Sequence, residues 1–130
     1  MLERIDIINN FNSPMKKLLL SLLFLVFTVS AATAQTQLEM NEKASLDYKK
    51  ADAELNKTYK KLVSLLDKNE KALLIQAQKD WIKYRDSHCK FEADPYTGGS
   101  IKRLIWLTCM EEITKERTKH LKESLKNLNQ

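Results

Sequence analysis

From residue 38 onward, apolar positions recur at steps of three and four. Ala44, Tyr48, Ala51, Leu55, Tyr59, Leu62 and Leu66 fall into this spacing, which brings them to one stripe of a helix. The intervening positions are rich in Lys and Glu, so the pattern predicts an amphipathic helix over 38–66. Asp67-Lys68-Asn69-Glu70 then has the form of a capping box, with Asp67 as N-cap and Glu70 reaching back to it. A second helix is therefore expected over 68–91, carrying Leu73 or Leu74, Ala77, Trp81, Tyr84, His88 and Phe91 on its inner face. It should stop before Asp94-Pro95, since proline disfavours helical geometry in the residue preceding it. Ser100 suits the N-cap of a third helix over 101–128. There Leu104, Leu107, Met110 or Ile113, Arg117, Leu121, Leu125 and Leu128 form the stripe.

Beyond residue 34 the only helix breakers are Pro95, Gly98 and Gly99, all in one turn. Short connections favour antiparallel neighbours. The expected fold is all-α: a small antiparallel three-helix bundle, running up, down and up.

The first 34 residues read differently. Met15-Lys16-Lys17 precedes an almost wholly apolar run over 18–29, and Ala32-Thr33-Ala34 follows. A basic start, a short apolar stretch and an Ala-x-Ala site make a secretory signal peptide cleaved after Ala34. Residues 1–14, ahead of a better start at Met15, read as an extended or mis-assigned start. The apolar run falls well short of the roughly 20 residues that span a bilayer, so no transmembrane span is expected in the mature 35–130 domain. Export makes the protein periplasmic or secreted. In that setting the only two cysteines, Cys89 and Cys109, are expected to form a disulfide.

Charge narrows the function classes. The chain carries 22 basic and 17 acidic residues, a net +5. Removing the leader takes away Arg4, Lys16, Lys17, Glu3 and Asp6 and leaves +4. The signs alternate, as in Asp47-Tyr-Lys49-Lys50-Ala-Asp52-Ala-Glu54, which suits a solvated helix face and not a nucleic-acid stripe. His88 and Cys89 are neighbours about 100° apart on a helix and do not converge on one atom. No zinc-type spacing completes a metal site. Asp80, Asp86, Glu111 and Glu112 lack the cleft that acid–base catalysis needs. The expected protein is not an enzyme and takes no cofactor or metal.

Tyr48, Tyr59, Trp81 and Tyr84 are expected in the core. Arg85 and Arg117 lie in register with apolar faces, and a partly buried charge requires a partner. Asp52 or Asp86 should therefore pair with Arg85 or Arg117 as a structural contact. The turn offers Tyr96, Thr97 and Ser100, with Lys102 and Arg103 alongside. These five are the candidate partner-binding residues, because recognition concentrates in loops held by a rigid scaffold.

An ordered series of short motifs carries a resemblance. It runs Glu39-Met40-Asn41, Tyr48-x3-Asp52-x2-Leu55-Asn56-x2-Tyr59, then Gln78-x2-Trp81-x2-Tyr84-Arg85-Asp86-x2-Cys89. Gly98-Gly99-Ser100-Ile101, Cys109 and Arg117-x3-Leu121 complete it. The series, over about 37–121, resembles the domain family named after the lysozyme inhibitor LprI. The resemblance implies a small exported helical domain of bacterial envelopes and a protein partner, with lysozyme inhibition as the implied activity. Two departures are visible. Many members carry a further cysteine pair near the mature N-terminus, where Lys43 stands here, and the named inhibitor is lipid-anchored whereas no lipidation cysteine follows this leader. The alternative function is a structural or interaction module of the envelope, binding a bacterial protein or an anionic wall or lipid component.

Overall fold

A computed structural model of the protein describes residues 13–128. The expected leader start over 1–12 lies outside the described residues. All regular structure among those described is helical. Helix α1 spans Ser13–Leu65, α2 spans Lys68–Ala93, a single 3-10 turn covers Asp94–Tyr96, and α3 spans Lys102–Leu128. Helix α1 begins far ahead of the expected residue 38. No Gly or Pro interrupts 15–66, so nothing in that stretch ends a helix once begun. Among the described residues no helix is long and apolar enough to cross a membrane.

The chain divides into two compact units, Met1–Thr36 and Gln37–Gln130. In the first, the backbone of 13–36 is helical. The second contains every described buried residue, from Ala44 to Leu121, together with the disulfide. It is thus self-sufficient in what holds a small domain together.

Within this second unit the helices pack as up, down and up. Cys89 is bonded to Cys109, with Cα atoms 5.5 Å apart, and one end of α2 thereby meets the opposite end of α3. Gln78 faces Arg117 further along the pair, which fixes an antiparallel register. Tyr48 meets Trp106 edge-on, and Glu54 meets Lys122, so α1 and α3 run in the same direction. Leu55, Leu62 and Leu121 form the buried cluster, with Tyr59, Leu66, Leu74, Trp81 and Leu125 packed against it.

The turns follow the local chemistry. Asp67 accepts from the Glu70 N–H at 2.8 Å, and its own N–H donates to the Glu70 carboxylate at 3.0 Å. This reciprocal cap starts α2 immediately after α1 ends. Gly98 has φ +87°, a region that L side chains rarely enter. Helix α3 begins at Lys102, so Ile101 and not Ser100 stands at the cap position. The Ile101 carbonyl accepts from the Ile105 N–H at 3.1 Å.

The inner face of α2 differs from the expected one. Its buried residues are Gln78, Arg85, Cys89 and Ala93, with Leu74 and Trp81 half-buried between them. Tyr84 is 55% exposed and Phe91 71% exposed, and Ala77 also faces water. Trp81 and Leu74 belong to both readings, and the helix is turned about one residue from the face that apolarity alone selects. Helix α3 likewise buries Thr114 and Thr118 beside Leu107, Met110 and Leu121. Thr118 satisfies its hydroxyl by donating to the Thr114 carbonyl at 2.8 Å.

Two expected outcomes test this arrangement. Leu121→Ala should cost about 2 to 5 kcal/mol in denaturant melts, while Phe91→Ala should change stability by no more than about 0.5 kcal/mol. A large loss at Phe91 would restore the expected face. Removing the disulfide with Cys89→Ser and Cys109→Ser together should cost roughly 3 kcal/mol under the loop-entropy model. Intact-mass analysis after alkylation without reductant should find no labelled thiol, and two labelled cysteines would refute the bridge.

Candidate binding surface

The end of the α2–α3 hairpin is built around the turn that follows α2. Pro95 sets the 3-10 turn at Asp94–Tyr96, and the Asp94 carbonyl closes it by accepting from both the N–H and the hydroxyl of Thr97, at 3.0 and 2.7 Å. Lys102 Nζ donates to the Thr97 hydroxyl at 2.7 Å, and the Gly99 N–H donates to the Tyr96 carbonyl at 3.0 Å. The turn is thus self-ordered although all of 94–101 is exposed. Tyr96 shows 43% of its surface. Cys89–Cys109 bridges the two helices that carry the turn.

Beside it a cleft of about 370 Å³ is lined by Lys90, Ala93, Gly99, Ser100, Lys102, Arg103 and Trp106. Three cations face it and no carboxylate lines it. The structure therefore groups Ser100, Lys102 and Arg103 in one cleft and sets Tyr96 and Thr97 on the turn at its edge. Lys90 and Trp106 are lining residues that the sequence reading did not single out. Their signal is helical spacing: Trp106 lies three residues after Arg103, and Lys90 adjoins the bridged Cys89.

Arg85 occupies a separate place, inside the bundle. Its guanidinium lies 5.0 Å from the centroid of the Trp81 ring and 5.9 Å from that of Tyr48. Nε and one terminal nitrogen both donate to the same Asp86 oxygen, at 2.9 and 2.8 Å. Asp52 on α1 stands 3.9 Å away. A delocalised, weakly hydrated guanidinium suits such stacking between rings. Burial raises the pKa of Tyr48, an effect the nearby Arg85 charge opposes. Arg117 does not pair with either aspartate: its Nε donates to the Gln78 side-chain Oε1 at 3.1 Å. Burial lowers its pKa from the ordinary value, and a neutral amide is the partner it finds. Among the described residues no group of His, Cys, Asp and Glu is placed to hold a metal ion.

Both carboxylates around Arg85 are well exposed, at 42% for the Asp52 side chain and 55% for that of Asp86. They regain water if the arginine is lost. The contribution of Arg85 is accordingly its packing and stacking more than its ion pairs. Arg85→Ala should destabilise by about 2 to 3 kcal/mol, and Asp86→Ala by less than about 1 kcal/mol. Equal losses in thermal or denaturant unfolding would mean that the ion pair dominates.

The model of the family described as lysozyme inhibitor LprI matches residues 29–121. An uncharacterized protein of Rhizobium meliloti (strain 1021) is 36% identical over 107 residues, covering 72% of this chain and 77% of the relative. A crystal structure of a DUF1311 family protein from Pseudomonas putida KT2440 aligns with a TM-score of 0.61 at 22% identity. It covers 65% of this chain and 89% of the other, and the likeness is one of fold.

Proposed function

The chain belongs to the lysozyme inhibitor LprI family, and on that premise we propose that it is an exported, non-enzymatic binding protein of the bacterial envelope that inhibits lysozyme. Residues 1–34 serve as the signal peptide and 35–130 form the mature periplasmic or secreted domain. The recognition element is the turn with Tyr96, Thr97 and Ser100, flanked by Lys102 and Arg103.

The observation that carries the reading is the turn itself. All its residues are solvent-exposed, and it is held by its own hydrogen bonds and mounted on two helices joined by a disulfide. A pre-ordered projection loses little entropy when it enters a partner's cleft. Tyr96 supplies a large, rigid contact at low entropic cost, which is why tyrosine is frequent at binding hot spots. The surplus of positive charge adds no long-range attraction to a basic lysozyme. Affinity should then come from short-range contact at the turn.

The 35–130 form should slow the clearing of a cell-wall suspension by at least one lysozyme type. Tyr96→Ala should weaken that inhibition roughly thirtyfold, equivalent to about 2 kcal/mol, with an unchanged melting curve. No protection against any lysozyme type would remove the inhibitor function. Full inhibition by the Tyr96→Ala, Ser100→Ala double variant would reduce the turn to a connector.

A further inference from the structure

The hairpin end combines a cationic cleft with exposed apolar side chains. Lys90, Lys102 and Arg103 converge on the cleft, and none has an ion-pair partner among the described residues. Five lysines elsewhere on the bundle do have a carboxylate partner: Lys43 and Lys50 with Asp47, Lys83 with Asp80, Lys115 with Glu111, and Lys122 with Glu54. Around the same end Phe91, Ile101 and Trp106 expose 71%, 39% and 37% of their surfaces. Glu92 lies nearby but is turned to His88, 3.8 Å away.

Unpaired cations beside exposed aromatic and aliphatic side chains match the chemistry of a bilayer interface. Lys and Arg meet anionic headgroups there, Trp sits at headgroup level, and apolar side chains enter the acyl boundary. We infer that the α2–α3 hairpin end docks on an anionic lipid surface, through Lys90, Lys102 and Arg103 with Phe91, Ile101 and Trp106. Charge complementarity favours this occupant over a neutral protein groove, which satisfies the apolar side chains but leaves three cations uncompensated. The inference goes beyond lysozyme inhibition and does not rest on it.

The test uses the 35–130 form, which holds the whole described core and the disulfide, so that the apolar leader does not itself insert. Sedimentation with phosphatidylglycerol-containing vesicles should pellet the protein, and pure phosphatidylcholine vesicles should not. Binding should fall steeply as salt shortens the screening length. In a Trp81→Phe background, which leaves Trp106 as the sole tryptophan, emission should shift to the blue on binding. Lys90→Glu with Arg103→Glu spares the Lys102–Thr97 bond and should lower partitioning at least about tenfold. Lys60→Glu with Lys126→Glu, at the other end of the bundle, removes the same charge and should leave most of the binding. No pelleting, equal pelleting with neutral vesicles, or equal losses in the two double variants would overturn the inference. Displacement by soluble inorganic phosphate would also overturn it, by showing a site for the free anion.

Discussion

The bond between Cys89 and Cys109 joins the last full turns of α2 to the early turns of α3, with Cα atoms only 5.5 Å apart. With each Cα about 2.3 Å off its helix axis, that separation fits ordinary interaxial packing of roughly 8–10 Å, and the covalent bond pins this end of the pair there. That pinning sets the axial register from which the other contacts follow. With Cys89 against Cys109, antiparallel helices bring Gln78 within one helical turn of Arg117, a gap their long side chains span. The same anchoring leaves a short span for the chain from 94 to 101 to cross, and Pro95 and Gly98 supply the conformations that such a reversal needs.

The interior depends on the bridge because its apolar content is modest. Three leucines form the fully buried cluster, and the same face also takes in Thr58, Gln78, Arg85, Thr114 and Thr118. Apart from the Thr114 hydroxyl, which has no hydrogen-bond partner among the described residues, these polar groups find partners. Thr58 and Thr118 do so by donating back to carbonyls one turn earlier, and Gln78 does so with Arg117. Arg85 is held between two rings with its charge led outward to Asp86 and Asp52. Such polar interior contacts are directional, and they specify helix rotation more sharply than leucines of similar volume do.

Helix number, helix order, the capping box at Asp67 and the cysteine bridge were legible in the sequence, because each depends on local chemistry or on a count. The rotation of α2 was not. Two neighbouring stripes of that helix share Leu74 and Trp81: one runs on through Ala77, Tyr84 and Phe91, the other through Gln78, Arg85 and Cys89. Apolarity favours the first, and the structure buries the second. What decides is tertiary: Cys89 must face α3, and Gln78 and Arg85 find partners there and on α1. The candidate turn was legible from the clustering of Pro95, Gly98 and Gly99. The cleft beside it was not, since Lys90 and Trp106 come from different helices and meet only when the hairpin closes. The start of α1 was missed for a simpler reason, the lack of any breaker between the leader and the domain.

These two sets of residues lie apart in the molecule, and that separation has a physical consequence. Leu55, Leu62, Leu121 and the Arg85 cluster stabilise the body of the bundle, whereas Tyr96, Ser100, Lys90 and Arg103 contribute little buried area to it. A change at the hairpin end therefore costs little folding free energy, provided that the bridge and the left-handed Gly98 are kept. A change at Gln78 or Arg85 disturbs helix rotation and so moves the hairpin end as well. Variation at the hairpin end thus costs the fold less than variation in the helix faces that hold it. The exposed side chains that an apolarity pattern assigns to the core, Tyr84 and Phe91, fall on the tolerant side of that division. Both are exposed in the folded bundle, so their burial is not needed for folding.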